Sequence, residues 1–164
     1  MGFSDDRRRA ALLSDAVYSP GKVPPGFTDL GVPVPTNNVD FYAAAYRHQS
    51  TGEVWVSIRG TQSGADWVGN LGFGKATAWG GSTETLDRKV ELAHEYVQQI
   101  IKAYPDSPIS LTGHSQGGGL AAIESARLAL PAHVFNAAPA RAYTEQRFSG
   151  EGLSTEQIHN HNRS

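Results

Sequence analysis

The sequence predicts an α/β fold: a mostly parallel central sheet with one antiparallel hairpin and helices packed on its flanks. Three observations carry that prediction. Leu86, Val90, Ala93, Val97, Ile100, Ile101 and Tyr104 recur at three- and four-residue spacing, with Asp87, Arg88, Glu91, Glu95 and Lys102 on the other side, which is the pattern of an amphipathic helix stopped by Pro105. Short apolar runs at residues 109–112 and at Val134 and Phe135 bracket a second helical stretch, residues 117–130. Such alternation of strand and helix implies parallel pairing with right-handed crossovers. Finally, residues 41–47 and 53–59 are rich in aromatic and β-branched side chains and flank the turn-forming Ser50-Thr51-Gly52, as in a β-hairpin.

Ser4 can cap a first helix whose apolar face is Ala10, Leu12, Leu13, Ala16 and Val17, ending before Pro20 and Gly21. Pro20 to Asn38 is dense in proline and glycine and reads as loop. From Gly60 to Thr83 glycines are interleaved with Trp67, Val68, Leu71, Phe73 and Trp79, too many for a long regular element, so a functional loop is expected there. From Arg141 to Ser164 the chain is polar with little apolar periodicity and is expected to be loop or frayed terminus.

A chain of 164 residues with 39% hydrophobic content suits one domain, residues 1–164, with a single real core. Fourteen basic against sixteen acidic residues leave a formal charge of −2, which offers no footprint for a nucleic-acid backbone. With no cysteine there is no disulfide frame, thiolate zinc site or cysteine nucleophile. His48, His94 and His114 show no zinc-ligand spacing, and neither a metal nor a cofactor is expected. Near the N-terminus Asp5, Asp6 and three arginines stand with no long apolar stretch behind them, unlike a signal peptide or a membrane span. The expectation is a cytoplasmic location, or export without a cleaved signal.

The chemistry-bearing motif is Gly113-His114-Ser115-Gln116-Gly117, a G-x-S-x-G placed after an apolar strand and before an amphipathic helix. A serine on such a turn is held in a tight backbone conformation, so its neighbours must be small. Gly113 and Gly117 meet that need, and Gly118 and Gly119 let the helix start close to the sheet. Consecutive glycines weaken a helix by roughly 1 kcal/mol each relative to alanine, so a purely structural helix would gain nothing from them. A phosphate-binding loop of the Walker type would need a lysine after its glycines, and there is none. Ser115 is therefore the candidate nucleophile, with a helix N-terminus aimed at the oxyanion beside it.

Two separated segments then carry a family resemblance: Ile58-Arg59-Gly60-Thr61 followed by Asp66-Trp67 and Asn70, and Leu111-Thr112-Gly113-His114-Ser115-Gln116-Gly117-Gly118. Phe135-Asn136 with Pro139 is a weaker third match. In that order the chain resembles the class 3 lipases and related bacterial hydrolases over residues 41–139. The resemblance implies an α/β-hydrolase core and a carboxylic-ester hydrolase of lipid or phospholipid esters working through a Ser115 acyl-enzyme. It further implies that the backbone N–H and hydroxyl of Thr61 and the backbone N–H of Gln116 form the oxyanion hole. Asp66, Trp67 and Asn70 would fix the loop, and the stretch with Phe73 and Trp79 would lie where such lipases carry a lid. The implied partner is a lipid or other ester, with transient contact to a membrane or micelle surface, and no protein partner is indicated.

Serine needs a histidine base, and the histidine an acid, in the chain order Ser, Asp or Glu, His. No aspartate follows Ser115; the acids are Glu124, Glu145, Glu151 and Glu156, and the histidines His133, His159 and His161. Only Glu145 or Glu151 with His159 or His161 would keep the order, and His133 is expected to be structural. The favoured expectation is that acid and base lie beyond Ser164, the chain being the N-terminal part of a longer domain and the core incomplete at its C-terminus. Two other classes stay open: a non-catalytic module that keeps the scaffold for binding, and a thioesterase or acyltransferase.

Overall fold

A computed structural model of the chain describes residues 3–60 and 83–162. In chain order the elements are α1 (Phe3–Ala16), β1 (Phe27–Asp29), β2 (Ala43–His48), β3 (Val54–Ile58), α2 (Thr83–Ala103), β4 (Ile109–His114), α3 (Gln116–Leu128), β5 (Ala132–Phe135), α4 (Arg141–Phe148), a 3-10 turn (Ser149–Glu151) and β6 (Ile158–His161). The strands form one sheet in the order β1-β2-β3-β4-β5-β6. β1 to β3 pair antiparallel, and β3 to β6 pair parallel. The predicted architecture is thus the observed one, hairpin included: His48 N–H donates to the Glu53 carbonyl at 2.9 Å across the turn at residues 49–52.

Strand alternation sends successive side chains to opposite faces, and each face has its own helical cover. Val54, Val56 and Ile58 of β3 join Leu111, Val134 and the apolar stripes of α2 and α3 in one cluster. Trp55 joins Phe27, Ala44 and Tyr46 with Ala10 and Leu13 of α1, and with Val17 just past it, in the other. α1 is also docked by two buried hydroxyls: Ser57 Oγ donates to the Leu13 carbonyl at 2.8 Å, and Thr112 Oγ1 donates to the Ala10 carbonyl at 3.0 Å. The ends of β4, β5 and β6 come level in the register His114, Phe135, His161, so the chain leaves all three strands at one edge of the sheet.

Several expectations need correction. α1 begins at Phe3, one residue before the expected cap position at Ser4. Its Leu12 is 45% exposed, because the buried stripe of Ala10, Leu13 and Val17 runs at three- and four-residue spacing and leaves Leu12 to one side. The loop expected before Asn38 contains β1, where Phe27 is buried and pairs with β2. The polar C-terminal stretch is largely ordered as α4, the 3-10 turn and β6. Apolar periodicity could not have shown this, since α4 is held by polar and ring contacts. Tyr143 Oη donates to Asp87 Oδ1 at 2.5 Å, Arg147 pairs with Asp87 at 2.7 Å, and the Arg127 guanidinium lies 3.9 Å from the Phe148 ring centre.

Leu13 is fully buried in the α1 cluster. Leu13→Ala should lower the unfolding free energy by about 3 kcal/mol through lost burial and a residual cavity, read from urea unfolding.

Candidate functional site

Ser115 stands between β4 and α3 with φ 57° and ψ −125°, a region that L-residues rarely occupy. Its surroundings over-determine this conformation. Ser115 N–H donates to the Phe135 carbonyl at 3.0 Å, and its own carbonyl accepts from Gly119 N–H at 3.1 Å and Ala138 N–H at 2.9 Å. The glycines are required by space. A Cβ on Gly113 would stand 2.4 Å from the Gly117 carbonyl oxygen, and one on Gly117 would stand 2.0 Å from the Ile58 carbonyl oxygen. The first turn of α3 is pressed directly onto the end of β3, and the Ser115 residue is 4% exposed.

That contact brings Arg59-Gly60 to the serine turn. A Cβ on Gly60 would lie 3.5 Å from Gln116 N and 3.1 Å from the His114 carbonyl oxygen. Gly60 N–H donates to Tyr18 Oη at 3.0 Å, so the chain just past α1 also grips this strand end. Burial pushes the Tyr18 phenol up from its usual value, which keeps it protonated. Thr61 itself lies outside the described residues, as do Asp66, Trp67, Asn70 and the Phe73 and Trp79 of the expected lid.

No sequence motif marks Lys89, a further residue at the site. It is 5% exposed on α2, and its Nζ donates to Gln116 Oε1 at 2.5 Å. Its signal was positional: Lys89 falls between Leu86 and Val90 and Ala93 on the apolar stripe, where a cation has no water to turn to. Close by, Arg59 pairs with Asp40 at 2.7 Å and lies 5.0 Å from the Tyr42 ring centre.

Of the candidate acids, Glu124 is fully buried but accepts from His94 Nδ1 at 2.6 Å and pairs with Arg127 at 3.4 Å. Nine residues along α3 from Ser115 place it roughly 13 Å away at 1.5 Å per residue. Glu145 pairs with Arg141 at 2.9 Å on the exposed surface, and Glu151 pairs with Arg127 at 3.0 Å. The histidines gather on the α1 face of β5 and β6. His133 Nδ1 lies 2.9 Å from His161 Nε2, and its ring stacks on His159 at 4.7 Å. His161 also lines a cavity of about 590 Å³ with His114, Asn136, Tyr18, Asp15 and Arg7, at the strand ends beside the serine turn. Among the described residues, no group of three histidine or carboxylate side chains could hold a metal, and no helix is long and apolar enough to cross a membrane.

The family described as Phospholipase-like, Tle-like phospholipase domain, matches residues 9–162. Among solved structures the chain is similar to the Lip2 lipase of Yarrowia lipolytica, with a TM-score of 0.61 and 16% identity over 97% of this chain and 70% of that one. It is also similar to a triacylglycerol lipase whose catalytic centre is formed by a serine protease triad, with a TM-score of 0.55 and 19% identity over 94% of this chain and 59% of that one. These likenesses show an α/β-hydrolase fold of the lipase kind. A curated relative, "Putative lipase ATG15" of Eremothecium gossypii, is 33% identical over 73 residues, which are 44% of this chain and 11% of that protein.

This geometry makes two outcomes measurable. Gly117→Ala should cost at least about 3 kcal/mol, because its methyl group meets backbone that cannot yield, whereas Gly150→Ala, open on all sides, should be nearly neutral; urea unfolding measures both. Burial, with His159 and His161 adding to it, lowers the His133 pKa from 6.5 to about 4. The unfolded chain therefore binds this proton more readily. The stability from neutral His133 is complete above the unfolded value and is lost as the pH falls from there toward the folded one. His133→Asn should flatten that acid limb by something on the order of 2 kcal/mol, read from unfolding midpoints at neutral and acid pH.

Proposed function

Because the chain belongs to the Tle-like phospholipase domain family, we propose that it is the serine-bearing part of a carboxylic-ester hydrolase acting on lipid or phospholipid esters. In this reading Ser115 Oγ attacks the ester carbonyl while its proton passes to a histidine base. The tetrahedral oxyanion collapses, the alcohol leaves with a proton, and water later releases the acid from the acyl-enzyme. The backbone N–H of Gln116, with the N–H and hydroxyl of Thr61, meets the oxyanion. Each such donor is typically worth about 10²–10³ in rate, because the charge it serves exists only in the transition state.

The observation that carries the proposal is the backbone of Ser115: a serine at φ 57°, pinned by Phe135 and Ala138 and abutted by Gly60. Strain of about 1–3 kcal/mol persists at such a position only where the surroundings impose it, and a serine aimed from a strand-to-helix turn is what acyl transfer needs. Glu145 and Glu151 are engaged by Arg141 and Arg127, which leaves an in-chain triad unsupported. The chain spans 59% of the triacylglycerol lipase named above, and we place the base and acid in the further part of a longer domain. Contact with the lipid surface would be transient and made near this edge of the sheet.

A fluorophosphonate probe should label the intact protein at one serine. Ser115→Ala should abolish labelling and lower ester turnover by about 10⁴–10⁶. An intact protein that binds lipid equally well with and without Ser115 and is never labelled would instead be a binding module on a hydrolase scaffold.

A further inference from the structure

Lys89 is difficult to explain as packing. Among the described residues no carboxylate lies within ion-pair distance of its ammonium, and its hydrogen-bond partner is the neutral Gln116 Oε1. Gln116 is 1% exposed and opens α3. The N-terminus of a helix is its positive end, so a buried cation there opposes the helix dipole as well as losing its water. Burial accordingly lowers the Lys89 pKa, with Arg59 adding to the effect and Asp40 opposing it. An apolar side chain on this stripe would pack at less cost. Among the described residues, Arg59 and Lys89 together place two cations near Asp40, which already pairs with Arg59.

We propose that Lys89 is a positioning residue for the oxyanion site: its ammonium fixes the Gln116 side chain, and with it the Gln116 amide, and adds a buried positive charge one side chain away from that amide. The inference rests on the Ser115 hydrolase reading. A positive potential that is costly in the resting protein becomes favourable when a negative oxygen forms at the end of α3. The arrangement then serves the transition state more than the folded ground state. Lys89 touches no reacting atom and acts through Gln116.

Two substitutions test this in the intact protein, with a fluorophosphonate and a p-nitrophenyl ester as probes. Lys89→Met should slow labelling and lower kcat about tenfold to thirtyfold, leave KM within about twofold, and leave the melting temperature unchanged or higher. Lys89→Gln keeps a donor for Gln116 Oε1 and removes the charge. It should hold or raise the melting temperature while lowering kcat about as far as Lys89→Met, because the buried charge is what meets the oxyanion. A purely structural lysine predicts no loss of kcat in that second variant, so the test stands even if Lys89→Met fails to fold. Wild-type protein that labels, with folded variants labelling at the same rate, overturns the role of Lys89 alone. Wild-type protein that neither labels nor turns over ester overturns the hydrolase reading and this inference with it.

Discussion

The approach of Gly117 to the Ile58 carbonyl sets the rest of the site. There is no space for a methyl group between the first turn of α3 and the end of β3, so the helix begins as close to the sheet as backbone allows. That closeness forces the bend before it: Gly113 must also lack a side chain, and Ser115 must take a positive φ to turn the chain from strand into helix. Bonds from the end of β5 and from Ala138 then hold the bend. A single steric limit thus links β3, β4, β5 and α3 at one place, and the Arg59-Gly60 segment is delivered to the serine as a result.

The two ends of α3 treat charge differently. At its C-terminal half, Glu124 is fully buried but answered by His94 and Arg127, and Arg127 reaches on to Glu151 and stacks on Phe148. That network closes on itself and ties α2, α3 and α4 together. At the N-terminal end, Lys89 is met, among the described residues, by an amide oxygen rather than a carboxylate. Buried charges answered by opposite charges can be explained by folding alone. One answered by a dipole suggests a partner that comes and goes.

The serine turn was legible in the sequence because its causes are local: glycines at fixed spacing, an apolar run before and a helical pattern after. α2 was legible for the same reason, since Leu86, Val90, Ala93, Val97 and Ile100 of its buried stripe recur at helical spacing. What sequence hid was the identity of partners. Periodicity shows that Lys89 lies on a buried stripe but not that Gln116 waits there. It also cannot show that Ser57 and Thr112 spend their hydroxyls on α1, or that Tyr18 reaches Gly60. α4 and β6 escaped because aromatic rings stacked on arginines and a histidine-rich strand leave no aliphatic pattern. The Ser4 cap and the Leu12 face failed through small errors of helix boundary and phase, which decide what each side chain meets.

The order of the sheet has a consequence for how the chain is made. Each strand pairs with the one synthesised just before it, so the sheet can grow outward by additions to its newest edge. α1 is the exception: Thr112, which helps dock it, follows Ala10 by 102 positions. During synthesis α1 must therefore wait for its complete docking until the chain has been made as far as Thr112. Contacts so distant in sequence slow folding and lengthen the exposure of sticky surface. The three arginines and two aspartates on its first turns keep that waiting helix hydrated.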